Sequence, residues 1–254
     1  MDALWSVVAD VLRDLTEHLH REGWRISSVG ATGHGNGLYL VDEHLRPVRS
    51  AIASTDSRAE QIGAALPSAE VERVRLLTGS IPWAAQPAVL LRWLQDNEPE
   101  TLARARWALT CKDWLTLCLT GAPSADLSDA SGCGLVNLRS RRYESAAVEM
   151  LGLPRGILRM FPALRSSDAV VGAVTAEASS ATGLPEGVPV VAGCMDCVAS
   201  PLGAGSARKG DVTVIVGTWA INSVVVPVDT VPPRVTINAL LPDSELMLAM
   251  EVAP

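Results

Sequence analysis

A carboxylate placed just beyond an apolar run is the first residue of this chain that could do chemistry. The segment VPVVAG at 188–193 is apolar throughout and ends in glycine, and Asp196 follows it at the head of the small-residue stretch CVASPLGAG. In α/β folds ligands collect at the carboxyl ends of strands, where a carboxylate can take a proton from a weakly acidic hydroxyl. An acid in the first turn of a helix also complements the helix dipole, and position alone leaves both readings open. The segment GATGHGNGLYLVD sets Gly33, Gly35 and Gly37 at alternate positions, the spacing of backbone that turns tightly or approaches a ligand closely. His34 and Asn36 lie between them, either as ligand contacts or as ordinary turn residues. A dinucleotide loop needs a helix directly after its glycines; here LYLV continues as a strand, so that reading fails. In STDSR, Asp56 is a helix N-cap or a ligand contact, and the planar donor fork of Arg58 suits hydroxyls or a carboxylate. Gly217 and Thr218 stand between two β runs, where a turn offers N–H groups and a hydroxyl to phosphate oxygens or simply closes a hairpin.

Other chemistries are excluded. Cys194 and Cys197 form C-x-x-C, but a cysteine zinc site needs a second ligand pair, and the chain has neither another C-x-x-C nor a histidine pair at zinc-finger spacing. No metal ligands are expected. Redox use of this motif belongs near the start of a compact βαβ unit, which is not its setting here. No Walker A pattern occurs. The net charge of −7, with no run of Lys or Arg, lacks the clustered cations a nucleic acid requires. Every long apolar run is broken by Gly, Pro, Asp or Arg before it could cross a bilayer. The opening MDALWSVVADVLRDL carries acids where an export signal carries bases. Five scattered cysteines, an odd number in 254 residues, are not a disulfide framework. The expected compartment is the reducing cytoplasm.

The elements that must position these residues follow from periodicity. Apolar residues at helical spacing predict a helix over 2–21, ended at Gly23. Short strands are predicted at 26–31 and 38–41, a hairpin at Asp42-Glu43, and an extended run before Ser54. From 56 to 113 the pattern reads as helices punctuated by Pro67, Pro82, Pro87 and Pro99. A helix over 111–119 closes at Gly121, SADLSDASG reads as a polar loop, and a helix covers 143–151. A strand near 170–174, a helix over 176–182 and the strand 188–193 complete an α/β alternation. DVTVIVGTWAINSVVVPV then reads as two β runs meeting at Gly217-Thr218, and a further strand is expected at LMLAMEVAP.

In order and spacing, five pieces resemble the FGGY carbohydrate kinases, especially the L-xylulose (3-keto-L-gulonate) kinase-like branch and other pentulose or alditol kinases. They are TGHGNGLYLVDEHLRPVRSAI; STDSRA; CKDWLTLCLTG followed by DLSDASG; GLPEGVPVVAGCMDCVASPLGAG; and IVGTWAINS. The resemblance implies an α/β fold similar to actin and hexokinase, in which two RNase H-like domains close on sugar and ATP. Residues 1–206 would be the N-terminal sugar-binding domain without its first strands, and 207–254 the beginning of the nucleotide-binding domain. By the same resemblance Asp196 is the general base, His34, Asn36, Asp56 and Arg58 face the sugar, and Gly217 and Thr218 hold the phosphates of ATP, which is used with Mg2+. Asn36 stands where many xylulokinases carry His. The family's D-x-G-[TS] phosphate loop and its downstream adenosine-binding G-G motif are not found in the sequence, so a fragment with an incomplete nucleotide site is expected. Its partner is a small sugar or polyol, with xylulose favoured. A homodimer or a complementing fragment is the macromolecular option, and neither nucleic acid nor membrane is expected. The competing expectation is a remnant that binds a ketose or polyol without turnover.

Overall fold

The computed structural model describes residues 1–216, 220–230, 237–242 and 244–253. Its first sheet has three strands, with the apolar run of Pro189–Met195 in the centre. That strand pairs in parallel with Val29–Gly33, Val29 facing Val190 and Gly33 facing Met195. Its other neighbour, Val170–Ala173, is antiparallel. Val190 and Ala192, on one face of this strand, are buried, while Pro189 and Val191 on the other are exposed or only partly covered. Gly193 lies in the left-handed region at φ +73, and any Cβ there would be driven into the Ala31 carbonyl oxygen. Only glycine lets the two strands approach so closely.

The helix Asp2–Arg21 forms as its period predicts. Trp5 and Leu12 pack against Leu119, Val174, Ala178, Leu184, Val188 and Val190, which joins this helix to the first sheet and to the helix Ala176–Thr182. His18, His20 and Arg21 in its last turn suit the negative end of the dipole. Gly23, at φ +76, redirects the chain.

Tyr39–Val41 pairs antiparallel with Trp107–Leu109, so the tail of the 56–113 segment is a strand where helical spacing predicted helix. The helix Pro99–Arg104 stops at Ala105, whose backbone is extended. The buried backbone of Tyr39–Val41 then takes its hydrogen bonds from this neighbour. The expected hairpin at Asp42-Glu43 is present, with Val41 bridging Pro47 and Asp42 Oδ1 accepting from the N–H groups of His44 and Arg46, both at 2.9 Å. Leu38, Leu40 and Ile52 close a core with Leu90, Leu91 and Leu94 of the helix Pro87–Asn97.

A second correction concerns SADLSDASG. Its polar residues predicted a loop, yet Leu127–Gly132 is a helix with Ser128, Asp129 and Ser131 buried. Asp126 caps it, accepting from the N–H of Ser128 at 2.9 Å and of Asp129 at 3.4 Å. A four-stranded antiparallel sheet follows in the order Val212–Val216, Ala220–Pro227, Leu246–Ala253 and Ile237–Leu240. Ser131 Oγ accepts from the Leu240 N–H at 2.8 Å. Met195 and Val198 pack on Ile221, Val225, Ala239, Leu248 and Met250. The second sheet therefore rests on the segments that end the first.

Candidate functional site

Because Gly33 faces Met195 across the parallel pair, His34 and Asp196 are the next residues beyond the ends of two adjoining strands. Thr32 Oγ1 ties the strands together by donating to Cys194 O at 3.0 Å. Asp196 is half-buried as the first residue of the helix Asp196–Gly203, and its Oδ1 accepts from the Cys197 N–H at 2.6 Å. The first-turn reading is therefore realised, and the carboxylate still sits at a strand end, where ligands gather.

The glycine-rich loop folds over this end. Gly35 lies against the Met195 thioether, and Gly37, at φ +75, would place a Cβ 2.6 Å from Ile52 O. Asn36 takes the left-handed conformation at φ +61 and is 2% exposed, and its Oδ1 is buried without a hydrogen-bond partner. A buried acceptor left unpaired costs about 1–3 kcal/mol, so a donor brought by a ligand would be favoured there. Both ring nitrogens of His34 are engaged, Nδ1 with Gly35 O at 3.3 Å and Nε2 with the Tyr39 hydroxyl at 3.2 Å. A neutral ring satisfies both when the Tyr39 O–H donates to Nε2 and Nδ1–H donates to Gly35 O. The adjacent Cys111 thiol raises the basicity of His34 more than burial lowers it.

Asp56 and Arg58 form a separate centre. Arg58 donates Nε–H to Asp56 Oδ1 at 2.8 Å and an Nη2 proton to Oδ2 at 2.9 Å, a bidentate pair, and its guanidinium lies 5.0 Å above the Trp93 ring. These donated hydrogen bonds hold the Asp56 carboxyl below its ordinary range. Asp56 is not a helix cap, since the following helix Glu60–Ala64 begins after Ala59. Ala53, Thr55, Asp56, Ser57, Arg58 and Trp93 line one surface pocket. The structure brings His34, Asn36 and Asp196 to one strand end and places Asp56 and Arg58 on the segment that follows Ile52. No hydrogen bond links the two groups among the described residues. Gly217 and Thr218 lie outside the described residues.

Sequence reasoning missed a buried charge cluster beneath this end. Lys112 is fully buried and pairs with Asp113 at 2.6 Å and Asp126 at 2.8 Å. Thr110 Oγ1 lies 2.6 Å from Asp129 Oδ2 and 3.0 Å from Asp113 Oδ2. Burial alone would depress the Lys112 ammonium, but the three carboxylates outweigh it and its pKa is raised. Burial pushes Asp129 up to about 7 and raises Asp113 despite its ion pair. The visible signal was the Lys112-Asp113 dipeptide together with the acids of DLSDASG, which stand out among small residues.

The model of the FGGY family of carbohydrate kinases, N-terminal domain, matches residues 1–203. The chain belongs to the FGGY family. Among curated relatives, the L-xylulose/3-keto-L-gulonate kinase of Escherichia coli (strain K12) is 33% identical over 224 residues, covering 88% of this chain and 45% of that protein. The erythritol kinase of Brucella abortus (strain 2308) is 35% identical over 202 residues, covering 79% and 38%. A crystal structure of xylulose kinase from Rhodospirillum rubrum superimposes with a TM-score of 0.89 at 27% identity, over 98% of this chain and 50% of that one. The chain thus spans about half the length of the FGGY relatives it matches. Its α/β fold is the actin/hexokinase-like fold of these kinases, as expected from the sequence. The C-x-x-C thiols of this FGGY chain are pushed up by burial, Cys194 to about 11 and Cys197 to about 12, which disfavours the reactive thiolate. Among the described residues no helix is long and apolar enough to cross a membrane.

Proposed function

We propose that this chain forms the sugar-binding and proton-accepting side of an ATP-dependent sugar kinase. A ketopentose such as xylulose is the favoured substrate, and erythritol or a related alditol comes next. The half-buried Asp196 carboxylate at the end of two parallel strands carries the reading, because the strand beside its own leads directly into the glycine-rich loop that holds the unpartnered Asn36 Oδ1. The names of the relatives, L-xylulose and erythritol kinases among them, support the substrate class.

In this reading a sugar hydroxyl gives its proton to Asp196 as its oxygen attacks the γ-phosphorus of ATP. The bond from that phosphorus to the leaving ADP oxygen breaks, and a sugar phosphate results. A hydroxyl is barely ionised at neutral pH, and a positioned carboxylate contributes about 10² to 10⁴ in rate. His34 and Asn36 orient the sugar from the loop, and Asp56 and Arg58 contact it from the neighbouring segment. Gly217 and Thr218 are assigned to the ATP phosphates. Mg2+ would arrive with the nucleotide and would neutralise charge on the transferred group. The described residues hold no group of three or more His, Cys, Asp or Glu able to bind a metal. Residues 1–206 are assigned to the sugar-binding domain and 207–254 to the second, with the boundary in the turn that contains Gly205 and Gly210.

The test is calorimetric titration with D-xylulose, L-xylulose, L-ribulose and erythritol, run beside an ADP-release assay with Mg-ATP, with Asp196→Ala as control. Sugar-dependent ADP release lost in the variant supports the kinase. Sugar binding with no ADP release moves the assignment to a binding remnant. A folded chain that binds none of these sugars refutes both.

A further inference from the structure

The strand that delivers Asp196 breaks its regular ladder around Gly193 and pairs with Val29–Gly33 again only at Cys194 and Met195. Gly193 bends the chain, and its N–H donates to Ser167 O at 2.9 Å rather than to a strand neighbour. Contacts outside the sheet therefore help to fix residues 192–195 across this break. Three tethers do so, and all lead to one buried carboxylate. Ala192 O accepts from Lys112 Nζ at 3.4 Å, and Lys112 is paired with Asp126 Oδ1. The same Ser167 that holds Gly193 donates its hydroxyl to Asp126 Oδ2 at 2.7 Å. The Met195 N–H donates to Ser128 Oγ at 3.3 Å, while the Ser128 hydroxyl donates to Asp126 Oδ2 at 2.5 Å. Since the single hydroxyl proton of Ser128 is committed to Asp126, its lone pairs are left to receive Met195.

We propose that Ser128 is a positioning residue for Asp196: anchored by the Asp126–Lys112 ion pair, it fixes the peptide of Met195 and so sets the direction of the carboxylate one residue later. This rests on the reading of Asp196 as general base. Ser128 is 1% exposed, too buried to meet a substrate directly; it acts through Met195, the residue from which the helix Asp196–Gly203 starts without a side-chain cap. The arrangement suits a base because a small misplacement of a reacting group costs far more rate than stability.

The test uses the full chain as Ser128→Ala and Ser128→Thr. It reads the Asp196 carboxyl 13C titration, amide exchange at Met195, D-xylulose affinity and thermal midpoint. In Ser128→Ala both hydroxyl hydrogen bonds go, and loss of the one that receives the Met195 N–H is expected to speed Met195 exchange roughly tenfold. The Asp196 titration midpoint should move and xylulose affinity should fall several-fold. Ser128→Thr, which keeps the hydroxyl, should restore all three. A purely structural serine would lower the thermal midpoint alone, so an unchanged Asp196 titration in Ser128→Ala overturns the proposal. If the parent chain binds no ketose, the kinase reading fails, while the Asp196 titration and Met195 exchange still decide whether the tether operates.

Discussion

Asp196 and Asp129 lie near the same strand end, and their surroundings give them different work. Asp196 is half-buried with one hydrogen bond from the following N–H, so it can meet a substrate. In the proposed kinase reading Asp196→Asn keeps the shape and removes the base, and any sugar-dependent ADP release should fall by about 10² to 10⁴ with an unchanged thermal midpoint. Asp129 is sealed from solvent. Thr110 has one hydroxyl proton for two carboxylates at 2.6 and 3.0 Å, so the second contact requires an acid proton on Asp129 or Asp113. Burial accordingly holds Asp129 at about 7 instead of its ordinary 3.8. Between these values the folded chain keeps a proton that the unfolded chain has released, so stability falls as pH rises through that window. Asp113, also raised by burial, adds to the same slope. Thermal midpoints recorded by circular dichroism across that window should decline, and Asp129→Asn, which mimics the protonated acid, should flatten the curve. An unchanged slope in the variant would place the proton elsewhere.

Among the elements, the strand Pro189–Met195 depends on Gly193. An alanine there would occupy a left-handed conformation and collide with the Ala31 carbonyl oxygen. Gly193→Ala should cost more than about 2 kcal/mol in denaturant unfolding and weaken ketose binding, since the bend also aims residue 196. A variant as stable as the parent would show that the two strands can separate at no cost. This glycine, the helix Asp2–Arg21 and the strand ending before Asp196 were legible because each is marked locally, by period or by an apolar run closing in glycine. The strand Trp107–Leu109 and the helix Leu127–Gly132 were not. The first is defined by a partner at Tyr39–Val41, far away in sequence. The second buries polar residues only because Lys112, Ser167 and the Met195 N–H supply what they need. Local pattern reports solubility, and it read those residues as a loop. For Arg58 the sequence left a hydroxyl or a carboxylate open as partner, and the structure shows the carboxylate of Asp56. The two side chains form a bidentate pair, so a sugar reaching them must share an existing ion pair.

At the scale of the whole molecule, apolar surface is distributed unevenly. Val7, Val11 and Leu15 recur every four residues along the outer face of the first helix, 48–62% exposed. Val212, Val214 and Val216 point outward from the strand at one edge of the second sheet. Among the described residues no strand pairs with the outer side of Val29–Gly33. Open strand edges and contiguous apolar stripes both template association between copies, and a net charge of −7 opposes this only through repulsion that salt screens. Sedimentation velocity should therefore show self-association that grows from micromolar to millimolar chain and strengthens with added salt. Val11→Lys and Val214→Lys place charge on two separate elements, so each should weaken association, and their effects should add if both surfaces take part. If Val214→Lys alone restores a monomer, the edge of the second sheet carries the contact and the first helix is a bystander. If neither variant changes the sedimentation profile of an associating parent, the open edge at Val29–Gly33 is the surface that remains. A parent that stays monomeric throughout would mean that these apolar faces are too curved or too small to join two copies.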